Sequence, residues 1–426
     1  MPPIIDHPLR YRLANELHAR PFPSLTVPAT AVYLAIKQEH GAAGRDRAAD
    51  MAHLVALLDR HGAAHPQPGA THFSGKIGRH TLKWESHTEF VTYTAFREGQ
   101  GKRPFDPTDF EVFPEDWLAE APGLRVTSAL IRIDPLKGDD ELAADIADWF
   151  VPDSVAVAKV LDDAAVVAGD FRIDPAGHQR LLISVSPDTG PRRVGRIMQR
   201  LCEIETDKSM SMLGFSRVRE LNPRMGELED RMRAMIGDMT GGEKKAEETL
   251  PDLLDISAEL EAMVAQSSFR FGATEAYETI VSQRISVLRE ERFQGRQTFG
   301  EFMMRRYDPA MRTVRSSKDR LDAMADRARR AGELLRTRVD VERSAQNQAL
   351  LESMDKRADM QLRLQKTVEG LSVVAISYYA VSLAGYLLYP LTDVFGVSKG
   401  MITAIATLPV VAAVWFMVRK IRKKID

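Results

Sequence analysis

Residues 370–392 read GLSVVAISYYAVSLAGYLLYPLT, a run of 23 positions without a charged side chain. Residues 400–418 read GMITAIATLPVVAAVWFMV and add 19 more uncharged positions. About 20 apolar residues are enough for a helix to cross a bilayer, and Pro409 is tolerated within such a helix. A buried hairpin in a soluble core is the alternative, but soluble helices of this length usually carry a polar face. We therefore predict two transmembrane helices, over 370–392 and 400–418.

The two predicted spans are joined by only seven residues, 393–399, so they form a tight hairpin with both outer ends on one side of the membrane. Basic side chains cluster just outside the hairpin, whereas the short loop holds one Asp and one Lys. Because basic flanks stay in the cytoplasm, both termini of this multi-pass protein are expected there. The tail 419–426 would also contact anionic lipid headgroups. The basic residues are Arg357, Arg363, Lys366, Arg419, Lys420, Arg422, Lys423 and Lys424.

The composition of the 426 residues argues against several other classes of protein. Hydrophobic residues make up 44%, and 58 basic side chains nearly balance 60 acidic ones, so neither disorder nor a nucleic-acid partner is expected. The mean hydropathy of -0.24 resembles that of a soluble protein, because an average hides the two apolar runs. The single cysteine, Cys202, excludes an intramolecular disulfide and suits a reducing cytoplasm. Residues 1–6 lack the basic and apolar regions of a signal peptide, so none is expected.

Residues 1–188 are predicted to form a mixed cytoplasmic domain, either α+β or α/β. Alternating apolar residues and runs of Thr, Phe, Trp, Tyr and Val indicate strands, and apolar residues at helical spacing indicate helices between them. Interleaved strands and helices pack as layers around one core. The predicted strands lie at 29–37, 71–97 (two or three strands), 124–134, 155–161, 164–173 and 179–186, and the predicted helices at 45–61 and from Asp139 or Asp140 to Trp149.

Strand signals end near residue 188, and helix signals follow. The region 189–307 is predicted to be helical, with an interruption near Asn222-Pro223 and an exposed linker at 241–245. The region 308–369 contains no proline after Pro309, which predicts a single helix of roughly 60 residues, about 90 Å long. We interpret this helix as a stalk that leads into the first span.

One seam along the stalk and the first span carries no charge. Steps of three and four residues generate it, and the resulting period of about 3.5 is that of a coiled coil. The seam could pack against another helix, where small and hydroxyl side chains allow close approach. It could instead face the axis of a symmetric oligomer and line a pore, where uncharged polar groups replace part of an ion's hydration shell. Both interpretations predict a homo-oligomer. The seam is Asn347, Leu351, Met354, Ala358, Gln361, Gln365, Val368, Ser372, Ala375, Tyr379, Ser382, Tyr386 and Tyr389.

Three sequence blocks resemble an uncharacterised bacterial family of membrane-anchored proteins, domain of unknown function 3422. The blocks are NELHARP at 15–21, WESHTEF at 84–90 and TVEGLS at 367–372. The resemblance covers essentially the whole chain and implies a location in a bacterial inner membrane. It implies no known activity.

The order of the parts also resembles the CorA-type magnesium transporter superfamily. That resemblance implies a pentamer in which the stalk and the first span line the pore. The Gly-Met-Asn signature of the family belongs at the outer end of the first span, where residues 389–393 here read YPLTD. Gly400-Met401 is followed by Ile402 and opens the second span instead. The groups that would hold a hydrated magnesium ion are therefore missing, so the resemblance implies a related scaffold and leaves selective magnesium transport in doubt.

Motifs of enzymatic chemistry are missing from the sequence. The closest approach to a phosphate-binding loop, GDMTGGEK at 237–244, lacks the lysine after the second spaced glycine. The patterns of dinucleotide-binding loops, hydrolase nucleophile elbows and zinc proteases are not found either. We therefore predict no catalytic residue and no enzyme.

A histidine between two glutamates is the first candidate ligand site, in a chain whose ten histidines all precede residue 179. Glu85, His87 and Glu89 are read as part of one strand, so they would share a face. This set could bind a divalent metal ion, or it could be a solvated sheet face with cross-strand salt bridges. The metal ion is the one candidate cofactor.

Two further polar clusters could bind ions. Arg10, His18 and Arg20 surround a short predicted helix between two prolines and could gather a phosphate or carboxylate, or could dock the helix by salt bridges. Glu203, Glu205 and Asp207 follow Cys202 on a predicted helix. These carboxylates could bind regulatory divalent ions or form a solvated face.

The sequence thus predicts an oligomeric inner-membrane protein, and two functions are compatible with it. The first is a CorA-like assembly that conducts or senses cations, which the uncharged seam favours. The second is a non-conducting membrane-anchored scaffold whose α/β domain binds a protein or senses a small ligand. The missing outer signature favours the second.

Overall fold

The chain folds into two compact units. The computed structural model describes residues 4–16, 22–39, 44–241, 246–388, 390 and 398–425. The first unit comprises Met1–Glu243 and Pro251–Ala331, and the second comprises Lys244–Leu250 and Gly332–Asp426. The helices predicted as a separate region over 189–307 therefore belong, apart from 244–250, to the same unit as the strands.

The first unit alternates strands and short helices before three long helices follow. The strands predicted at 29–37, 124–134, 155–161 and 179–186 begin and end within one residue of their predictions, because alternation marks a strand with a buried face. The range 71–97 holds three strands, and the strand predicted at 164–173 ends at Gly169. The strands of the described residues are β1 (Ala29–Lys37), β2 (His72–Ile77), β3 (His80–Ser86), β4 (Phe90–Glu98), β5 (Leu124–Pro135), β6 (Ala156–Val160), β7 (Ala165–Gly169), β8 (Gln179–Val185) and β9 (Glu291–Arg292). The helices are α1 (Arg10–Glu16), α2 (Arg47–Arg60), α3 (Glu115–Ala119), α4 (Asp139–Trp149), α5 (Pro191–Gly241), α6 (Ala246–Leu288), α7 (Phe299–Arg306), α8 (Asp308–Leu387) and α9 (Lys399–Ile425), with a 3-10 helix at Pro107–Val112.

One mixed sheet organises the first unit. Within the described residues it has nine strands in the order β2-β3-β4-β1-β5-β8-β7-β6-β9. Neighbouring strands run antiparallel, except that β5 and β8 are parallel. The parallel pair requires a crossover, and the chain makes it through α4 and the β6–β7 hairpin.

Both faces of the central strand β1 are buried, and they are buried against different helices. Ala31 and Ala35 contribute to the core that the sheet forms with α5, α6, α7 and the start of α8. Val32 and Leu34 contribute to a separate core with α2 and α3. The alternation of a strand explains this split.

Helix α5 continues through Pro223, so the predicted interruption near Asn222-Pro223 is wrong. A proline inside a helix removes one backbone hydrogen bond and usually kinks or ends the helix. Here Pro223 itself is exposed, whereas Leu221 and Met225 on either side of it are buried in the main core. Burial of this apolar face offsets the cost of the proline.

Helices α5 and α6 pack closely at one point, and Tyr307, between α7 and α8, joins the same contact. A Cβ atom on Gly214 of α5 would lie 2.1 Å from Thr274 Oγ1 of α6. Thr274 Oγ1 donates a hydrogen bond to the Ser211 carbonyl (3.3 Å), and the Ser211 hydroxyl shares a hydrogen bond of 2.7 Å with Tyr307 Oη. Only glycine permits this approach of the two helices.

The second unit contains the predicted membrane segments. Helix α8 extends without interruption to Leu387 and so carries both the predicted stalk and most of the predicted first span. The described residues include two helices that are long and apolar enough to cross a membrane, α8 in its C-terminal part and α9. Tyr389 of the seam and the loop 391–397 lie outside the described residues.

The uncharged seam and the contact with α9 occupy different faces of α8. Ala384 and Leu388 lie beside Ile402 and Ala406 of α9 around an apolar groove. The seam residues Ser372, Tyr379 and Tyr386 are exposed. At about 100° per residue, the seam lies roughly on the opposite side of α8 from α9.

We expect Gly214→Ala to lower the free energy of unfolding by about 1–2 kcal/mol, because overpacking against Thr274 outweighs the better helix propensity of alanine. The matched control is Gly226→Ala on the same helix, where a Cβ atom would meet nothing within 4 Å. That control should raise stability by about 0.5–1 kcal/mol. Urea unfolding followed by tryptophan fluorescence measures both, and equal effects of the two changes would contradict the close approach of α5 and α6.

Candidate functional site

A polar cavity of about 370 Å³ lies in the first unit between the β3–β4 hairpin and the helices α5 and α6. Exposed lining residues such as Arg47, Thr71 and Thr88 form its rim, whereas the inner wall consists of buried and half-buried residues. The inner wall consists of Tyr33 from β1, Lys83 and Glu85 from β3, Thr92 and Thr94 from β4, Met198, Gln199, Cys202, Glu203, Thr206 and Asp207 from α5, and Tyr277, Ile280 and Arg284 from α6.

The cavity is polar because of how the hairpin alternates. Leu82 and Trp84 of β3 point into the apolar core with α2. The residues between and after them, Lys83 and Glu85, therefore point to the other face, where the cavity lies. Strand β4 repeats the pattern, with Thr92 in the cavity wall. A polar face that would be solvated in a simple two-layer fold is here covered by two helices.

Two ion pairs neutralise most of the charge in the wall. Lys83 Nζ lies 3.0 Å from Glu85 Oε2, and the two side chains are 8% and 11% exposed. Lys83 Nζ also donates a hydrogen bond to Gln199 Oε1 (2.6 Å). On the helical side, Arg284 Nε lies 2.7 Å from Glu203 Oε2. Each of these cations is thus held by a carboxylate of the wall itself.

Asp207 differs from the other carboxylates of the wall. It is 8% exposed, and within the described residues no hydrogen bond or ion pair holds its carboxylate. Burial raises the pKa of Asp207 to about 7, and the negative charge of Glu203 adds to this effect while Arg284 opposes it. The carboxylate therefore titrates near neutral pH and faces the cavity.

The hydroxyl and thiol groups of the wall are held in their neutral forms. Tyr33 Oη and Thr206 Oγ1 share a hydrogen bond of 2.7 Å. Burial raises the pKa of the Tyr33 hydroxyl well above its usual value, and the nearby Cys202 and Asp207 add to this. Burial likewise raises the pKa of the Cys202 thiol. Neither group is a ready nucleophile at neutral pH.

The turn between β3 and β4 forms part of the rim and is fixed from two sides. Arg45, paired with Asp50 at 2.7 Å in a fully buried ion pair, donates a hydrogen bond to the His87 carbonyl. Across the turn, Glu89 pairs with Arg270 of α6 and accepts a hydrogen bond from Tyr277 Oη (3.2 Å). These contacts hold the β3–β4 turn in a fixed position relative to α2 and α6.

A family described as "Protein of unknown function (DUF3422)" matches residues 5–425. The chain belongs to this family. The family predicted from the blocks at 15–21, 84–90 and 367–372 is thereby confirmed, while the bacterial origin and the membrane anchoring stay predictions. The resemblance to CorA-type transporters stays a prediction. No curated protein matches the chain.

The interpretation of 85–89 as one strand is wrong in this DUF3422 member, because β3 ends at Ser86 and β4 begins at Phe90. Glu85 faces the cavity, the His87 ring stacks on Phe90 at the rim, and Glu89 pairs with Arg270 of α6. Across the part of the chain that the structure describes, no group of three or more His, Cys, Asp or Glu is placed to hold a metal ion. The metal site stays a prediction without geometric support.

The proposed anion site near the N-terminus is described only in part. Arg10 is exposed and pairs with Asp6, one turn before it. His18 and Arg20 lie outside the described residues. The structure therefore does not test whether the three side chains meet.

Glu205 and Asp207 of α5 are buried and Glu203 is half-buried, so the interpretation of these three carboxylates as a solvated face is wrong. Glu203 and Asp207 line the cavity. Glu205 points elsewhere and is fully satisfied by several donors. These donors are Gln179 Nε2 (2.5 Å), Lys208 Nζ (2.7 Å), Ser209 Oγ (3.1 Å) and Thr127 Oγ1 (3.4 Å).

The sequence does not predict most of the cavity residues. It predicts a strand at Thr92 and Thr94 and a helix at Arg284, but no site at any of the three. One signal was available: the alternation of Lys83, Glu85, Thr92 and Thr94 with apolar residues marks one polar face on the hairpin. The sequence does not reveal that α5 and α6 cover that face.

We expect Asp207→Asn to stabilise the protein at pH 8, because the change removes a buried charge. The pKa of Asp207 is raised above that of the unfolded chain, so the folded state holds an extra proton between about pH 4 and pH 7 and loses stability as the pH rises through this range. At 1.36 kcal/mol per pKa unit, the gain at pH 8 is at most about 4 kcal/mol, and it should vanish near pH 4.

Unfolding of the full chain in detergent at pH 8 and pH 5 measures this difference. Asp230→Asn is the matched control, since Asp230 lies on the same helix with its side chain 75% exposed. A gain from Asp207→Asn that is equal at both pH values would contradict the raised pKa.

Proposed function

We propose that this chain is a membrane-anchored protein that binds a small polar molecule in the cavity between the β3–β4 hairpin and the helices α5 and α6. One observation carries the proposal: the cavity wall holds buried polar side chains that the described part of the protein leaves without partners. The hydroxyls of Thr92 and Thr94 and the carboxylate of Asp207 are of this kind. Burying such groups costs free energy unless something hydrogen-bonds to them.

The size and build of the cavity support this proposal. A volume of about 370 Å³ is within the range of small-molecule sites in proteins. The wall comes from strands and long helices, so its groups are held in fixed positions. Stabilisation by a bound molecule would offset the cost of burying Asp207 and the threonines.

Binding is favoured over covalent chemistry at this site. Burial raises the pKa values of the Cys202 thiol and the Tyr33 hydroxyl, so both keep their protons at neutral pH. A nucleophile needs an adjacent base or a lowered pKa. The cavity is therefore better suited to recognising a molecule than to transforming it, which favours a sensor or scaffold.

The membrane anchor of this proposal is the pair of apolar helices. The C-terminal part of α8 and α9 have the length and composition of spans. Basic residues lie in the last turns of α9 and also precede the uncharged part of α8, so from the positive-inside rule we expect both termini and the cavity to lie in the cytoplasm of a bacterial cell. Anionic lipid is the expected partner of the basic tail.

The proposal predicts that at least one small polar molecule stabilises the full chain against heat. The full chain in detergent is screened by thermal unfolding against amino acids, amines, sugars, sugar phosphates and dicarboxylates. A ligand present at 100 times its Kd should add about 2.7 kcal/mol to the free energy of unfolding.

A matched pair of variants ties the effect to the cavity. Thr92→Val with Thr94→Val removes two wall hydroxyls without changing the shape, and it should abolish the stabilisation or weaken the Kd at least about tenfold. Thr81→Val, on the same hairpin but outside the cavity wall, should leave it unchanged. The proposal fails if no compound of the panel stabilises the chain, or if the double variant responds like the native protein.

A second candidate function is cation conduction, and the position of the seam favours it. Ser372, Tyr379 and Tyr386 are exposed on the side of α8 away from α9, where neighbouring copies of a symmetric oligomer could meet around an axis. Uncharged hydroxyl groups at such an axis would conduct ions without trapping them.

Conduction predicts cation flux from the full chain reconstituted in liposomes. Ser382→Ala with Tyr386→Phe should then reduce flux several-fold, while Leu383→Ala, an apolar neighbour off the seam, should change it little. Absence of flux under gradients of magnesium, nickel and potassium from a well-folded preparation would exclude conduction and leave ligand binding as the function.

A further inference from the structure

We propose that Asp207 is the anchor for a positively charged nitrogen, so that the molecule bound in the cavity is a small organic cation such as a primary amine or a guanidine. This inference rests on the proposed function, since it names the ligand class of the same cavity. It goes beyond that proposal by predicting which small molecules bind and which do not.

The pairing of charges in the wall is the first argument. Glu85 is paired with Lys83 at 3.0 Å, and Glu203 is paired with Arg284 at 2.7 Å. Asp207 lies one helical turn from Glu203. It is the wall carboxylate that forms no ion pair with a basic side chain of the described residues. When Asp207 is ionised, the interior of the cavity therefore carries one uncompensated negative charge.

The position of the remaining cation is the second argument. Arg47 lines the cavity but lies at its exposed rim, where water screens its charge. It is therefore a poor counterion for a buried carboxylate. A ligand that brings its own positive nitrogen would form a charge-assisted hydrogen bond with Asp207, which is stronger than a neutral one.

The surroundings of Asp207 add the hydrogen-bonding groups that a small amine would need besides its charge. Among the described residues, the titratable or charged groups that interact with its charge are Tyr33 from β1, Glu203 from α5, Tyr277 and Arg284 from α6, and Tyr307 between α7 and α8. The hydroxyls of Thr92 and Thr94 line the opposite wall, on β4. A molecule with an amino group at one end and a hydroxyl, carboxylate or second amine at the other would match both walls.

This geometry makes ligand binding depend on pH in a defined direction. Burial raises the pKa of Asp207 to about 7, so protons compete with a cationic ligand for the same carboxylate below that pH. Affinity should be full near pH 8 and about tenfold weaker at pH 6. A neutral ligand that accepts a hydrogen bond from the protonated acid would show the opposite trend.

The test uses calorimetric titration of the full chain in detergent at pH 8. The probes are ethanolamine, putrescine and agmatine, with ethylene glycol and 1,4-butanediol as neutral analogues of the first two. We expect at least one amine to bind, its neutral analogue to bind at least about tenfold more weakly, and the affinity to fall about tenfold at pH 6.

Two variants localise the effect. Asp207→Asn should weaken amine binding at least tenfold, and Asp230→Asn, the same change at an exposed position of the same helix, should not. The pH series and the neutral analogues on the native protein keep the test valid even if Asp207→Asn fails to fold.

The outcomes separate this inference from the proposed function. Suppose that an anionic or neutral compound binds, that the Thr92→Val, Thr94→Val variant loses this binding, and that Asp207→Asn leaves it unchanged. The cation anchor is then wrong and the proposed function stands. If amines bind equally well to Asp207→Asn, the cation anchor is also wrong. If no amine binds the native protein, the inference is overturned.

Discussion

The first unit depends on one constraint: helices cover both faces of its sheet, although one face of the sheet is partly polar. Along β1 both faces are apolar enough to be covered, because alanines face α5 and branched residues face α2. Along β3 and β4 it is not, because one face carries Lys83, Glu85, Thr92 and Thr94. Helices α5 and α6 cover this polar face without filling it, and the cavity is the result.

Electrostatics within the cavity follow from the same burial. A buried charge is tolerated when a partner compensates it, as Lys83 compensates Glu85 and as four donors compensate Glu205. Asp207 lies on the same helix but lacks such a partner in the described residues, and its raised pKa expresses that cost. Sites at which a protein gives up stability in this way are often sites of function. The contrast between Glu205 and Asp207, two residues apart, distinguishes a structural carboxylate from one that is available to a ligand.

The second unit follows a different constraint. Its part of α8 is almost entirely exposed along the predicted stalk, and along the predicted span the face away from α9 is mostly exposed. Apolar side chains in such numbers on a helix surface are stable in contact with lipid or with other helices. The groove with α9 accounts for one face of α8, and the uncharged seam occupies roughly the opposite one. This arrangement leaves the seam free for self-association, whether or not an ion passes along it.

Local patterns in the sequence determined most of the strands, the long helices and the two long apolar segments. Two of these patterns depend only on neighbouring residues, so a single sequence displays them. They are the alternation over 29–37 and 124–134 and the lack of charge over 370–392 and 400–418. Predictions failed where contacts between distant residues determine the local structure. Packing of Leu221 and Met225 in the core lets α5 continue through Pro223. A turn held by Arg45 and Arg270 replaces the strand expected at 85–89. The cavity was decided by tertiary structure alone. Its walls come from residues 33, 83–94, 198–207 and 277–284, which only the strand order and the crossing of α5 and α6 bring together. Whether a carboxylate such as Asp207 is solvated or buried without a partner depends on which segments cover it, and that information is not contained in its sequence neighbours.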